Sequence, residues 1–393
     1  MPRTEIIHAA LADARARLAA RDAEIVRTQV TIAEIPAPTG DEGERGEWVA
    51  RRFRALGLAD VRTDAAGNVI ARRPGAVRAA PVVLCAHLDT VFPRDVPLHV
   101  RRDGRRLIGP GIGDNGRGLA VMLALAEAID GDVVRTRRPV EFLASVGEEG
   151  LGDLRGAKRY FADEEVPAAV IVVDGAGDER VVHRALGARR FRVTFQGPGG
   201  HSWAAFGVPN AVHAAGGCAA RLAALELPTV PRATLSVGRI GGGISVNAIP
   251  TDAWLEVDVR ATDPALLHRL TREVRHAAQS AAAEENARRA GGTPRLTHDV
   301  EVIGDRPCGL VPADDPLVCA ALAATRLVGR TPELATASTD ANVPIGLGVP
   351  AVAIGAGGRG GDAHTTGEWF DNTDGTVGVA RALTLAAAAA GLA

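Results

Sequence analysis

The run Pro81-Val82-Val83-Leu84-Cys85-Ala86, followed at once by His87-Leu88-Asp89, decides the architecture. It carries no charge, is too short for an ordinary helix, and lacks the alternation of a half-exposed strand. It therefore reads as a strand buried on both faces of a parallel or mixed sheet. Predominantly apolar runs recur at Val140 to Ser145, which includes Glu141, and at Ala168 to Val173. Between them, residues 118 to 128 and 154 to 162 have helical spacing, and strands alternating with helices predict an α/β sheet covered on both sides.

Working outward, residues 4 to 33 read as one amphipathic helix stopped by Pro36 and Pro38, and Thr39-Gly40-Asp41-Glu42 can cap a second helix reaching about Leu56. The pattern changes near Leu186. From there to about Val302 the order is strand, helix, two strands, helix, which suits a small α+β domain with two helices on one sheet face. A helix at Pro316 to Leu327 and a strand at Ala351 to Ile354 then resume the α/β pattern. The alanine-rich end, Ala380 to Ala393, reads as a docked terminal helix. The expectation is an α/β domain formed by residues 1–185 and 303–393, interrupted by a smaller α+β domain at 186–302.

Composition excludes several chemistries. The 393 residues hold 45 Lys plus Arg against 47 Asp plus Glu, yet Lys158 is the only lysine, so the other 44 basic residues are arginine. Lys158 lies between Ala157 and Arg159, so no Gly-Lys-Ser/Thr phosphate loop exists, and Schiff-base chemistry would fall to this one side chain. Arginines interleaved with acids give no field for nucleic acid. Cys85, Cys218, Cys308 and Cys319 form no CxxC pair and read as small residues of a reducing, cytoplasmic compartment. The N-terminal segment lacks the apolar core of a signal peptide, and no uncharged apolar stretch is long enough to span a membrane.

Five motifs carry chemistry. His87-Leu88-Asp89 ends the first buried strand, where the Asp89 carboxylate can orient a metal-ligating imidazole; an ordinary structural pair accounts for it equally well. Gly109 to Gly118 holds five glycines in ten residues around Asp114. Asp114 is either a plain helix cap or, since its charge repels phosphate, a ligand for a cation. Glu148-Glu149 follows the strand at 140–145, where one carboxylate can hold a metal while the other takes a proton from water. Asp174 ends another buried strand. His364 lies in the glycine-rich stretch after the strand at 351–354. Each has a bland reading as a cap, turn or solvated acid. Jointly, His87, Asp114, Glu149, Asp174 and His364 fall at one end of one sheet, and two histidines with three carboxylates suit two divalent cations sharing one bridging carboxylate.

These motifs, in this order and with an insertion after Asp174, resemble the dinuclear zinc exopeptidase and deacylase family. The resemblance runs from Ile35-Pro36-Ala37-Pro38-Thr39-Gly40-Asp41-Glu42 to Glu368-Trp369. It implies a mixed-sheet catalytic domain interrupted by a ferredoxin-like lid and dimerisation domain. It also implies two divalent ions, zinc foremost with cobalt or manganese as alternatives. Asp114 would bridge them, with His87 and Asp174 on one ion and Glu149 and His364 on the other. Glu148 matches the general base, Asp89 the residue orienting His87, and His201 the group that reaches a partner subunit's site to stabilise the oxyanion. Asn247 and Arg260 match substrate-binding positions, Arg260 suiting a carboxylate; a turn residue and a solvated strand end are their structural alternatives. Two features depart from the common pattern, Asn115-Gly116-Arg117 after the bridging acid and Trp203 after His201-Ser202, and both are expected to reshape the substrate pocket. The implied enzyme is a homodimeric amide hydrolase of short peptides, with an N-acyl amino acid deacylase or a glutamate carboxypeptidase-like enzyme as alternatives. A binding protein that kept the fold without turnover is the rival from another class.

Overall fold

The structure, a computed structural model, describes residues 2–130 and 133–393. The chain forms two compact units, one from residues 1–185 with 310–393 and one from Leu186–Gly309. The second boundary lies at Gly309/Leu310, not at 302/303, because the strand Thr297–Arg306 stays paired with Gly187–Gln196 through Arg306. That strand was absent from the sequence reading. Its burial is mostly partial or absent, so no apolar run marks it.

The first unit is built on a mixed sheet. Val82–His87 is parallel to both Val140–Ser145 and Ala169–Val173, and Ala351–Ile354 is parallel to Ala169–Val173. The four apolar strands run the same way, the first three joined by crossovers that contain the helices Gly116–Ala128 and Arg155–Asp163. Antiparallel strands Val69–Arg73 and Ala59–Thr63 extend one side. On the other, Arg180–Ala185 is antiparallel to Ala351–Ile354 and pairs in parallel with Glu333–Ala337.

Neighbouring residues of one strand show that both faces are covered. Phe142 meets Phe53 of the helix Gly43–Ala55, with ring centroids 6.1 Å apart. Glu141, pointing the opposite way, accepts from the hydroxyl of Tyr160 on the helix Arg155–Asp163. The N-terminal segment is three helices, Pro2–Ala10, Ala12–Ala20 and Asp22–Ala33, instead of one. Leu11 and Arg21 have ψ near 10° and 12°, so the axis bends there while Leu11, Ala14, Leu18 and Ile25 stay buried.

In register, His87 pairs with Ser145, and Ile354 pairs with Val173. The segments after these four strand ends therefore leave the sheet from one edge, the usual place for function in an open α/β sheet.

The second unit is an antiparallel sheet in the order Ala233–Gly242, Asp252–Ala261, Gly187–Gln196, Thr297–Arg306. Phe191, Val193, Phe195, Leu255, Val257 and Val259 alternate inward and form a core with residues of the helices Ala211–Ala223 and Pro264–Ala287. The other face carries Arg190, Arg192, Trp254, Glu256 and Asp258, with Glu256 accepting from Arg192 at 2.7 Å.

Candidate active site

At the sheet edge, one carboxylate stands between two imidazoles. His87 Nε2 lies 3.0 Å from Asp114 Oδ1, and His364 Nε2 lies 3.3 Å from Asp114 Oδ2. Glu149 Oε1 is 2.9 Å from His364 Nε2, and Asp174 Oδ1 is 3.7 Å from His87 Nε2. His87, Asp114 and Glu149 each offer a ligand atom within 4.8 Å of the others. All five residues singled out from the sequence thus converge.

The loop chemistry explains how Asp114 is available. The following helix, Gly116–Ala128, is capped by Asn115, whose side-chain oxygen accepts from Gly118 N at 3.1 Å. Asn115 also donates to Val173 O at 3.0 Å, tying the loop to the strand that ends before Asp174. A side chain at Gly118 would come within 2.1 Å of Asn115 Oδ1 and 2.4 Å of Val173 O, so this close approach requires glycine. The cap reading of Asp114 is therefore replaced by Asn115, and the acid faces the histidines.

Buried polar groups hold the other loops. The Asp89 carboxylate accepts from the backbone N–H of Glu148 at 3.0 Å, from that of Glu149 at 2.9 Å, and from the Thr39 hydroxyl at 2.9 Å. Its main-chain carbonyl lies 3.0 Å from His87 Nδ1 and its carboxylate 3.6 Å. A carbonyl only accepts, so Nδ1 carries the hydrogen and Nε2 keeps its lone pair for the cluster. Arg45, fully buried, donates to Leu88 O at 2.7 Å and to Ile35 O. Glu42 accepts from Gly147 N at 3.2 Å and pairs with Arg155. The segment 35–45 thus clamps the loops that carry His87 and Glu148-Glu149.

Glu368 does the same for Asp114. Its carboxylate accepts from Gly111 N at 2.8 Å, Gly113 N at 2.7 Å and Asp114 N at 2.8 Å. Beneath the edge, Asp340 accepts from the hydroxyl of Ser145, while its second oxygen is buried with no partner among the described residues. The sequence reading noted the segments holding Glu42 and Glu368 but gave these residues, Arg45 and Asp340 no role. Their signal, a charged residue within a short polar or glycine-bearing segment, also fits a surface turn.

The crowding of acids and imidazoles sets the electrostatics of the cluster. Burial disfavours a proton on His87, but hydrogen bonds to Asp114, Asp174 and Asp89 outweigh it and hold its pKa well above the ordinary range. His364 is pushed up to about 9, chiefly by its hydrogen bond to Asp114. Burial works to raise Asp114, but the hydrogen bonds from His364 and His87 hold its carboxyl below the usual range. Burial raises Glu149, and it pushes Glu368 up to about 7 and Asp340 up to about 6. Protonated histidines are one way to reconcile these acceptors. Two imidazole nitrogens and three carboxylates fit divalent cations instead, and Asp114, with one oxygen toward each histidine, has the form of a bridging ligand.

Other expected residues lie elsewhere. Glu148 is buried beside the cluster, 6 % exposed. His201, Asn247 and Arg260 belong to the second unit. There Ser202 N donates to Asn247 O at 3.0 Å and Gly200-His201 pairs with Ala248-Ile249, so the His201 and Asn247 loops are joined. Arg260 donates to Asp258 at 2.7 Å. Arg117 does not shape a pocket: fully buried, it donates to Ala356 O at 3.1 Å and Gly375 O at 2.9 Å and lies over Phe370. Trp203 is 88 % exposed.

Residues 83–388 match the model of the peptidase family M20/M25/M40. A succinyl-diaminopimelate desuccinylase of Corynebacterium glutamicum is 27 % identical over 245 residues, covering 60 % of this chain and 65 % of that protein. Carboxypeptidase G2 of a Pseudomonas species is 27 % identical over 254 residues, covering 60 % of this chain and 59 % of that protein. The match thus spans less than two thirds of either relative. Among solved structures, the aminopeptidase PepT of Bacillus cereus shares the fold with a TM-score of 0.75 and 21 % identity, covering 94 % of this chain and 99 % of that one.

Proposed function

The chain belongs to the peptidase family M20/M25/M40 and is a metal-dependent hydrolase of amide bonds; from that premise we propose that it cleaves short peptides with two divalent cations, zinc foremost, held by His87, Asp114, Glu149, Asp174 and His364. The observation that carries this reading is the Asp114 carboxylate, with one oxygen at the Nε2 of each histidine. Bound there, the cations supply Lewis acidity toward water and a carbonyl oxygen.

Glu148 takes the proton of the attacking water and returns it to the leaving nitrogen. Asp89 sets its position, since the Glu148 backbone is pinned to that carboxylate. His201, brought by a second copy of the chain, donates to the developing oxyanion. Asn247 joins the substrate contacts from the same pair of loops, and Arg260 lies on the open sheet face of that unit. We further place the enzyme in the cytoplasm as a homodimer through residues 186–309. Four free cysteines support that compartment, and no described helix is long and apolar enough to cross a membrane.

The relatives named as a desuccinylase and a carboxypeptidase favour a second reading, in which the substrate is an N-acyl amino acid or a peptide trimmed at its carboxyl end. Metal-stripped protein reloaded with zinc or cobalt and given a dipeptide, its N-acetyl form and its C-terminal amide separates the readings. Cleavage of the free dipeptide supports the peptidase. Cleavage of the N-acetyl form alone supports the deacylase. Two bound metals with no cleavage of any amide would overturn both.

A further inference from the structure

A cavity of about 1060 Å3 opens from Asp114 and Asp174 and runs past Arg180, Arg330, Arg359 and Trp369. It lies wholly within the first unit. The cavity wall therefore lies where the remainder of an amide substrate cleaved beside Asp114 and Asp174 would extend.

Most charges on the wall are already offset. Arg330 is held between Asp178 and Asp374, at 2.9 Å from each. Arg180 stands opposite Glu333 in the parallel strand pair and follows Glu179 in the chain. Arg359 differs. It is exposed and makes no ion pair or side-chain hydrogen bond among the described residues. Its cross-strand neighbour Asp371 turns a carboxylate oxygen to the backbone N–H and hydroxyl of Thr373, at 2.8 and 2.6 Å.

Two glycine-rich loops bring Arg359 to the cations' side of the cavity. Gly357 N donates to Gly177 O at 2.8 Å, and a side chain at Gly360 would come within 2.9 Å of Ala176 Cβ. Ala176 and Gly177 directly follow Asp174-Gly175, so the strand Arg359–Gly361 lies against the loop that carries Asp174.

We propose that Arg359 is a specificity-determining residue: it pairs with a free carboxylate on the leaving side of the substrate, as found in a dipeptide or an N-acyl amino acid. A guanidinium fork suits that planar anion, and Arg359 is the cleft arginine carried on the strand that lies against the Asp174 loop. Arg260, expected from the sequence to grip the carboxylate, already donates to Asp258. This inference rests on the amide-hydrolase reading above, and it is neutral between peptide and acyl substrates.

The test compares a dipeptide and an N-acetyl amino acid with their C-terminal carboxamides, using zinc-loaded wild type, Arg359→Gln and Arg359→Lys. Wild type is expected to prefer the free acids. Arg359→Gln should lower kcat/KM on the acids about 10- to 100-fold through KM, the range of a charged hydrogen bond. It should leave the carboxamides within about 2-fold, and Arg359→Lys should recover part of the loss. An equal change on acid and carboxamide, no change on either, or a wild type indifferent to the carboxylate would overturn the assignment. Wild type that cleaves none of the four substrates would overturn the hydrolase reading itself. Carboxamide turnover by each variant reports that its fold and metals are intact.

Discussion

The loop of Glu148 and the loop of His201 are both assigned to the same chemistry, yet they are built in opposite ways. Glu148 and Glu149 are 6 % and 5 % exposed, and their backbone N–H groups are fixed by Asp89 while Glu42 accepts from Gly147. Around His201, Trp203 and Phe206 are each 88 % exposed, and Ile244 and Val246 on the adjoining loop are 94 % and 103 % exposed. The His201 ring accepts from Trp203 N within its own turn, at 3.2 Å. One arrangement is complete within its unit. The other leaves its apolar side chains uncovered, as expected of a loop whose surroundings come from another molecule.

The sharpest way to break this contrast is Glu148→Ala. A lone general base is worth about 10² to 10⁴ in rate, and the variant should lose turnover by that factor while retaining its metals, because the ligands lie on other side chains. Steady-state kinetics and metal analysis on the same preparation check both halves. Turnover within 10-fold of wild type would remove Glu148 from the role.

Asp89→Ala tests whether the first loop is really held from below. It would leave two buried backbone donors unpaired at about 1 to 3 kcal/mol each, so a loss of roughly 2 to 6 kcal/mol is expected in denaturant unfolding. The wild-type contribution also has a pH signature. Burial works to raise the Asp89 carboxyl, but His87 and the two N–H donors outweigh it and lower it to about 2. A depressed carboxylate stabilises the fold above its ordinary value near 4, and that contribution disappears as pH falls toward 2. Wild type should therefore lose stability faster than Asp89→Ala below pH 4. Parallel curves would deny Asp89 this role.

What could be read from the sequence follows the same division. The convergence of His87, Asp114, Glu149, Asp174 and His364 was legible because each follows an apolar run or lies in a glycine cluster, patterns that are local in the chain. Arg45, Asp340 and Glu368 gained no role because their importance comes from burial by distant segments: Glu368 reaches Gly111 from 257 positions away. The strands Arg180–Ala185 and Glu333–Ala337 escaped for a related reason. The first carries a charge near each end, and the second is half open to solvent, so neither shows the apolar run that marks the central strands. Arg117 misled in the other direction. A charged residue beside a ligand loop reads as a pocket residue, but it spends its donors on Ala356 and Gly375 carbonyls inside the protein.

The smallest expected effect is the most demanding test of the contrast. Trp203 is the largest side chain of the His201 loop, and a tryptophan in a core costs about 3 to 5 kcal/mol when cut to alanine. At 88 % exposure it has almost no buried area to lose. Trp203→Ala should then leave the unfolding free energy within about 0.5 kcal/mol of wild type when measured dilute enough to keep copies apart. A loss above about 1 kcal/mol under those conditions would mean that the loop packs against its own chain in solution. Raising the protein concentration supplies the complementary reading: if a second copy covers the loop, the variant falls behind wild type only where copies associate, since burial by a partner stabilises by mass action.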